Sequence, residues 1–331
     1  MGIVKDSLYR LSSRYFLSAF KQQTLFPYYH IVRDNAVAHI ENLYEFKNVD
    51  QFKKDIQLLK KYYNPIDPKV LLRGERPVNS FLLTFDDGLS EIYSEIYPIL
   101  KQENISAVFF INPDFVGNEK SLYKHDISVA IATIRQNGFE RLKLDQIAKI
   151  FHFDYTSNEE FIQKFKSISF AQRHGLSLAL KVLGLDMGAY LLDKKPYITK
   201  PQIQEMIDAG FYFGGHTMSH PPLNQLEYED QKEEIIDSMQ WLKDHFGIQY
   251  STFAFPFSDK NISRKLLEDL FEYDEDIVVF GNSGLKKDFD ARIIQRFSLE
   301  NPNRESRKLI VTENLYKIFN RFTGTYNIKR K

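Results

Sequence analysis

The chain has 331 residues, 43% of them apolar and 15% aromatic, enough for one large α/β domain or two smaller ones. Lysine plus arginine equals aspartate plus glutamate at 44 each, which argues against a nucleic-acid surface or a strongly acidic partner. Cysteine is absent, so disulfides and thiolate metal sites are excluded, and any metal must be held by histidine and carboxylate.

Residues 5–22 place apolar and aromatic side chains at helical spacing and predict an amphipathic first helix. The same stretch carries Lys5, Asp6, Arg10 and Arg14 and has no clean apolar run, so it makes a poor signal peptide and no transmembrane helix. Cytoplasmic residence is the expectation, with a peripheral membrane contact through Leu11–Phe20 as an alternative. A short strand follows in TLFPYYHIVRD, with Tyr29 and His30 at its end. Residues 48–63 predict a helix capped by Asn48 or Asp50, and 64–78, with three prolines and Gly74, a loop.

The apolar run Phe81-Leu82-Leu83 leads through Thr84 and Phe85 to Asp86-Asp87-Gly88, a buried strand ending in a tight turn. A helix over 90–103 with Ser90 as its cap and a strand over 105–111 complete a βαβ unit, which favours parallel pairing. Residues 119–198 lack an obvious strand and predict a helical insertion, with helices at about 121–136, 144–151 and 158–182, and another at 200–209. Ser157–Glu160 and Thr199–Gln202 have capping-box spacing. His125, His152 and His174 in this region read as surface or packing residues. Strands are then expected at 210–215, 250–255, 276–281 and 292–300, and helices at 228–246, 261–271 and 304–322. Strand–helix alternation through one chain without a linker fits a βα barrel or an open doubly wound sheet.

In parallel α/β folds the chemistry sits at the carboxyl ends of strands. Successive residues leaving a strand point to opposite sides, so of Asp86 and Asp87 one can bind a cation and the other act as a base. His216 and His220, in GGHTMSHP, follow another strand, and two histidines four apart reach one cation in a helix or a tight loop. Gly214 and Gly215 allow close backbone approach, and Pro221-Pro222 stiffens the exit. An aspartate at one strand end with the histidine pair at another is the layout of a catalytic zinc-type site with positions open to water and substrate. A second carboxylate beside it can take the proton of the water.

TFDDG, GGHTMSH and FAFPFS, in this order, resemble the first three motifs of the polysaccharide deacetylases, the NodB-homology group of carbohydrate esterases. AVFFINPDF resembles the family's second strand, and the likeness covers about 25–117 and 198–300, with the insertion outside it. The resemblance implies a distorted barrel of about seven parallel strands, one catalytic domain over 1–331, and a divalent metal, zinc first, with cobalt or nickel as alternatives. It further implies hydrolysis of the N-acetyl group of N-acetylhexosamine units. By position, Asp86 matches the general base, and Asp87, His216 and His220 the metal ligands. Phe255-Pro256-Phe257 matches the aromatic motif that walls the sugar pocket, where a backbone N–H can also serve an oxyanion. The hydroxyl of Thr84 could orient a carboxylate or simply pack in the core.

Two departures bear on mechanism. Many members tether the base with an arginine two residues before the proline of the third motif; here Ala254 stands there, as in members acting on extracellular poly-N-acetylglucosamine. Arg296 is the candidate replacement, against the plainer reading of a surface arginine on an edge strand. The family's late histidine, its general acid, has no counterpart after His245. His30 could fill that place, since first and last strands of a barrel are neighbours; otherwise Asp86 returns the proton it has taken. Three readings stand: an amino-sugar N-deacetylase, a barrel that binds glycan without turnover, and a metal-dependent deacylase of a non-sugar amide. The N-terminal composition favours a lipid-linked or nucleotide-linked glycan intermediate as substrate.

Overall fold

The computed structural model describes residues 3–12, 17 and 23–331. Eight short strands make one sheet: β1 (Pro27–Tyr29), β2 (Leu83–Phe85), β3 (Ala107–Ile111), β4 (Tyr212–Gly215), β5 (Thr252–Ala254), β6 (Val278–Gly281), β7 (Ile293–Gln295) and β8 (Phe297–Ser298). Their order is β7-β6-β5-β4-β3-β2-β1-β8, and every pair is parallel. The single strand expected over 292–300 is divided at Arg296. Its first half pairs with β6 (Gln295 opposite Gly281) and its second with β1 (Ser298 opposite Tyr28). One stretch of chain therefore joins both edges, and the sheet becomes a nearly closed barrel. The break accounts for eight strands where about seven were expected.

Alternation along the strands feeds two cores. Tyr29, Phe85, Phe109 and Phe213 form a cross-strand aromatic row with successive centroids 5.9, 5.0 and 5.4 Å apart, packed with the surrounding helices. Leu82, Val108, Phe110, Ala254, Phe280 and Ile294 point the other way into a cluster drawn mainly from the strands, the barrel interior.

Helix Val49–Tyr62 is capped by Asn48: its Oδ1 accepts from the Gln51 N–H at 2.8 Å and Gln51 Oε1 accepts from the Asn48 N–H at 3.1 Å. Residues 64–78 are more ordered than a loop. Asn64–Pro65 joins Ser80–Phe81 and Thr24–Leu25 in a small parallel sheet, and Pro68, pre-set for a first helical turn, starts helix Pro68–Leu72. Ser90 does not cap the following helix. Its N–H goes to Pro196 O (2.8 Å), and the chain enters helix Tyr97–Glu103 through a π-turn at Ile92–Ile96.

The insertion builds a second core around Ile127, Ile131, Ile147, Phe161, Phe165 and Ala179, and packs it against Ile31, Ile40, Leu89 and Phe115 of the barrel. Its expected 158–182 helix is interrupted: Asn158–Lys166 and Leu176–Leu183 flank a 3₁₀ turn at Ala171–Gly175. Ser167 Oγ bonds Lys164 O, and Ser169 bonds Gln172 Oε1, so serine side chains compete with the helical ladder here. Helix Met187–Lys194, capped by Asp186, was not anticipated. At the exit, Ile198 N–H bonds Gly88 O at 3.0 Å, stapling the insertion to the Asp86-Asp87 turn.

The first helix runs over Ile3–Leu11 and lies against Ser306–Phe322, with Lys5–Glu313 and Arg304–Asp6 ion pairs of 2.6 and 2.7 Å. Residues 13–16 and 18–22 of the expected longer helix, and with them most of the Leu11–Phe20 membrane contact, lie outside the described residues. Among the described residues no single helix is long and apolar enough to cross a membrane; the bent pair Ala171–Leu183 and Met187–Lys194 would pass together by length and composition alone.

Candidate metal centre and active site

The carboxyl ends of the strands converge on a cavity of about 360 Å³. Asp86 leaves β2 with its N–H on Tyr29 O (3.0 Å). Asp87 (φ 72°) and Gly88 (φ 65°) then turn through the left-handed region, which separates the two carboxylates. At the end of β4, a Cβ on Gly214 would lie 2.6 Å from the Phe110 ring and one on Gly215 2.2 Å from Ser238 Oγ, so only glycine brings this strand to its neighbours. The His216–His220 segment is a tight loop and not a helix, with Thr217 and His220 at φ 66° and 56°. It is pinned from two sides. The Asn112 amide donates to the carbonyls of His216 and Thr217, and Glu234 accepts from Ser219 N–H (2.9 Å) and Oγ (2.6 Å).

Asp87, His216 and His220 come together here, all buried, with one ligating atom of each within 4.8 Å of the others. Nε2 of His216 and of His220 lie 3.3 and 3.2 Å from Asp87 Oδ1. His216 Nδ1 is 2.7 Å from the carbonyl oxygen of Ala254, which can only accept, so Nδ1 carries the proton and Nε2 presents a lone pair. Two lone-pair atoms thus face each other in a buried place, and among the described residues Asp87 Oδ1 accepts no hydrogen bond. Burial, against Asp87, pulls the His220 imidazole below its usual value, toward the neutral form that ligates metal. This donor set fits a divalent cation, which would relieve the facing lone pairs.

Arg296, fully buried at the break between β7 and β8, holds Asp86 by two parallel bonds: Nη1 to Oδ1 at 2.7 Å and Nη2 to Oδ2 at 2.8 Å. Its Nη1 also donates to Thr84 Oγ1 (2.9 Å) and its Nε to Gly281 O (3.2 Å). The Thr84 hydroxyl therefore orients the guanidinium and not a carboxylate. Burial raises the Asp86 carboxyl, but Arg296 and His216 outweigh it and hold Asp86 below the usual carboxylate range.

Pairing of β8 with β1 places Glu300 beside His30. Its carboxylate accepts from the N–H groups of His30 and Ile31 (2.8 and 3.0 Å) and meets His30 Nδ1 at 2.7 Å. Burial lowers the imidazole, yet the charges of Glu300 and Asp87 and the Glu300 hydrogen bond prevail and raise it to about 10. His30 lines the same cavity as the triad and Asp86. Glu300 carried no sequence signal, since only barrel closure brings it to His30.

Phe255 and Phe257 line the cavity, and the Phe257 ring stands edge-on to His220 at 4.6 Å. Pro256 does not: it is buried off the lining. Phe255 N–H is taken by Phe280 O (2.9 Å), so it is not free for an oxyanion. His125, expected at the surface or in packing, is buried yet forms part of the cavity wall together with Tyr28, Tyr44, Lys124 and Asn282. The polar atom contributed by Ala254, a backbone carbonyl, has no sequence signature at all.

A barrel of parallel strands with this candidate metal triad defines a class of hydrolase fold, and sequence comparison assigns it. The chain matches the polysaccharide deacetylase family over residues 73–165 and 166–273, more than half its length, and belongs to that family, hydrolases of carbon–nitrogen bonds other than peptide bonds. The match runs through the insertion and ends before Arg296. A relative in Bacillus subtilis (strain 168), YxkH, provisionally described as a polysaccharide deacetylase, is 22% identical over 169 residues, half of this chain and 57% of that one. Among solved structures, the Streptococcus pyogenes deacetylase PplD has a TM-score of 0.55 at 16% identity, covering 88% of this chain and 98% of that one. IcaB from Ammonifex degensii has 0.53 at 15%, covering 88% and 97%, and a de-N-acetylase from Aggregatibacter actinomycetemcomitans 0.52 at 16%, covering 87% and 99%. At these identities the likeness establishes the fold, a NodB-type barrel.

Proposed function

We propose that the chain is a metal-dependent hydrolase that removes the acetyl group from an N-acetylated amino-sugar unit of a glycan or glycan precursor. The observation that carries this reading is the buried Asp87 Oδ1, unpaired among the described residues and facing the lone pair of His216 Nε2, with the arginine-clamped carboxylate of Asp86 on the preceding residue. Asp87, His216 and His220 would hold the cation, zinc by donor type with cobalt or nickel as alternatives, and when bound it supplies Lewis acidity for the acetamide carbonyl and acidifies a water.

Asp86 takes the proton of the attacking water as its oxygen bonds to the acetyl carbon. Arg296 keeps that carboxylate ionised and in one orientation. Among the described residues the Phe257 N–H has no acceptor, which suits it to the oxyanion. His30, held by Glu300, gives a proton to the amine nitrogen as the C–N bond breaks, releasing acetate and the free amino sugar. His30–Glu300 supplies the acid that the missing late histidine left open, which favours turnover over a merely glycan-binding barrel. Tyr28, Tyr44 and Phe257 offer aromatic faces for the sugar ring.

Acetate release by zinc-loaded protein from a panel of N-acetylated sugars and non-sugar amides tests the reading. Turnover of the sugars, lowered ~10²–10⁴-fold in Asp86→Asn with metal content retained, is expected. Metal analysis of His216→Ala should show the cation lost. Release from non-sugar amides alone would replace the sugar reading by the deacylase one.

A further inference from the structure

The wall of the cavity supplied by the insertion is unlike the rest of it. Helix Tyr123–Asn137 begins there, and its first turn has no side-chain cap. Leu122, Lys124 and His125 from this start, and Lys166 from the end of helix Asn158–Lys166, all line the cavity. Lys124 Nζ gives two of its protons to Lys166 O (2.8 Å) and Ile168 O (2.9 Å), which fixes the ammonium and leaves one proton over. The Lys166 side chain is exposed at the mouth. Asp126, the acid of this turn, is not part of the lining and accepts from Ser121 Oγ.

His125 supplies an independent observation. It is 2% exposed. Tyr197 Oη accepts the Leu122 N–H at 2.8 Å, and His125 Nδ1, 2.7 Å away, is its only other partner among the described residues, so the buried hydroxyl proton goes there. That leaves the His125 proton on Nε2, and among the described residues nothing accepts it. Tyr197 stacks on the ring (5.6 Å, 17°) and sits in the segment stapled to the Asp86-Asp87 turn, so the donor is held rigidly. Burial and His39 keep this imidazole well below its usual value, hence neutral and a standing N–H donor.

We propose that Lys124, His125 and Lys166, at the open start of helix Tyr123–Asn137, bind an oxyanion group, phosphoryl or carboxylate, carried by the amino-sugar substrate. A helix start, two ammonium groups and a fixed neutral N–H together present positive potential and, among the described residues, three donors without an acceptor: the third Lys124 proton, the Lys166 ammonium and the His125 Nε2–H, which a sugar hydroxyl alone does not call for. The inference rests on the deacetylase reading and names its substrate class: an acetamido sugar with a negative charge near the acetamide.

The experiment compares KM for acetate release by zinc-loaded protein from N-acetylglucosamine, N-acetylglucosamine 1-phosphate and N-acetylmuramic acid. One charge-assisted contact predicts a KM about tenfold lower for at least one anionic sugar than for the neutral one. The ratio should fall toward one in 0.5 M salt and in Lys166→Gln, which keeps the carbonyl that Lys124 caps, and in Lys124→Met. Which anionic sugar gains separates phosphoryl from carboxylate. Equal KM values for all three, or a ratio unchanged in both variants, overturn the proposal while leaving the deacetylase standing. If none of the sugars is hydrolysed, the deacetylase reading has failed, and calorimetry with inorganic phosphate still decides. Binding weakened at least about fivefold by Lys166→Gln supports the anion site; absent or unaltered binding ends it.

Discussion

Arg296 illustrates how a residue acquires its role from neighbours in space. Its fork meets both oxygens of Asp86, one further N–H meets Thr84 Oγ1, and the guanidinium carbon lies 4.9 Å from the Tyr28 ring centre. A lysine can supply charge but not two parallel bonds. Arg296→Lys should therefore lower turnover by ~10–100-fold, the worth of one charge-assisted bond, with zinc content unchanged and the acidic limb of the pH profile moved upward as Asp86 becomes less acidic. An unshifted limb at full activity would remove Arg296 from the mechanism. For His30 the sign runs the other way. Its value is raised to about 10 by Glu300, so the protonated form persists through neutral pH and is lost only as pH rises through that raised value. Glu300→Gln removes the main raising charge, and the basic limb of the profile should move down. A basic limb at the wild-type position in this variant would assign the acid to another group.

The strand β4 and the loop after it show the same dependence among elements. Gly215 lies opposite Phe253 of β5 and beneath helix Tyr228–Phe246, where Ser238 Oγ already bonds Ile235 O. Gly215→Ala forces a methyl to within 2.2 Å of that oxygen and 3.0 Å of Met239 Cγ. Urea unfolding should show a loss of ~1–3 kcal/mol, typical of overpacking, and metal affinity should fall with it because His216 is the next residue. Wild-type stability would mean that the helix is free to retreat from the strand. The insertion shows where periodicity misleads: 158–182 reads as one helix, but the Ser167 hydroxyl donates to Lys164 O and Ser169 donates to Gln172 Oε1, competing bonds that end it early.

Across the whole molecule, the C-terminal segment closes on the same end of the barrel. Arg330 Nη2 lies 2.6 Å from both Asp259 Oδ2 and Asp288 Oδ2, all three side chains being nearly inaccessible. Asp259 in turn accepts from Asn282 N–H, and Asn282 Nδ2 bonds Phe257 O, so this latch positions the aromatic wall of the cavity. Burial raises the Asp259 carboxyl, but Arg330 and its neighbours outweigh this and depress it. A depressed carboxyl contributes stability that is present above its unfolded value of ~3.9 and lost as pH falls through the folded one. Arg330→Met strands two buried carboxylates and should cost ~3–5 kcal/mol near neutral pH. The penalty should shrink as pH is lowered toward ~4, where the stranded acids take up protons; an equal penalty at both pH values would place the latch's contribution in packing alone.

What the sequence determined by itself is the local and the repetitive: apolar runs that become buried parallel strands, the Asn48 cap, helix Tyr228–Phe246, and a carboxylate pair and histidine pair each leaving a strand end. These are set by side-chain periodicity and by turn chemistry within a few residues, so they are visible in one dimension. The tertiary structure decided the rest. Glu300 reaches His30 across 270 residues, Arg296 reaches Asp86 across 210, and Ala254 fixes the tautomer of His216 through a backbone atom. Each of these depends on where the barrel closes and which strand lies beside which, and strand order is a property of the folded sheet that no local pattern encodes.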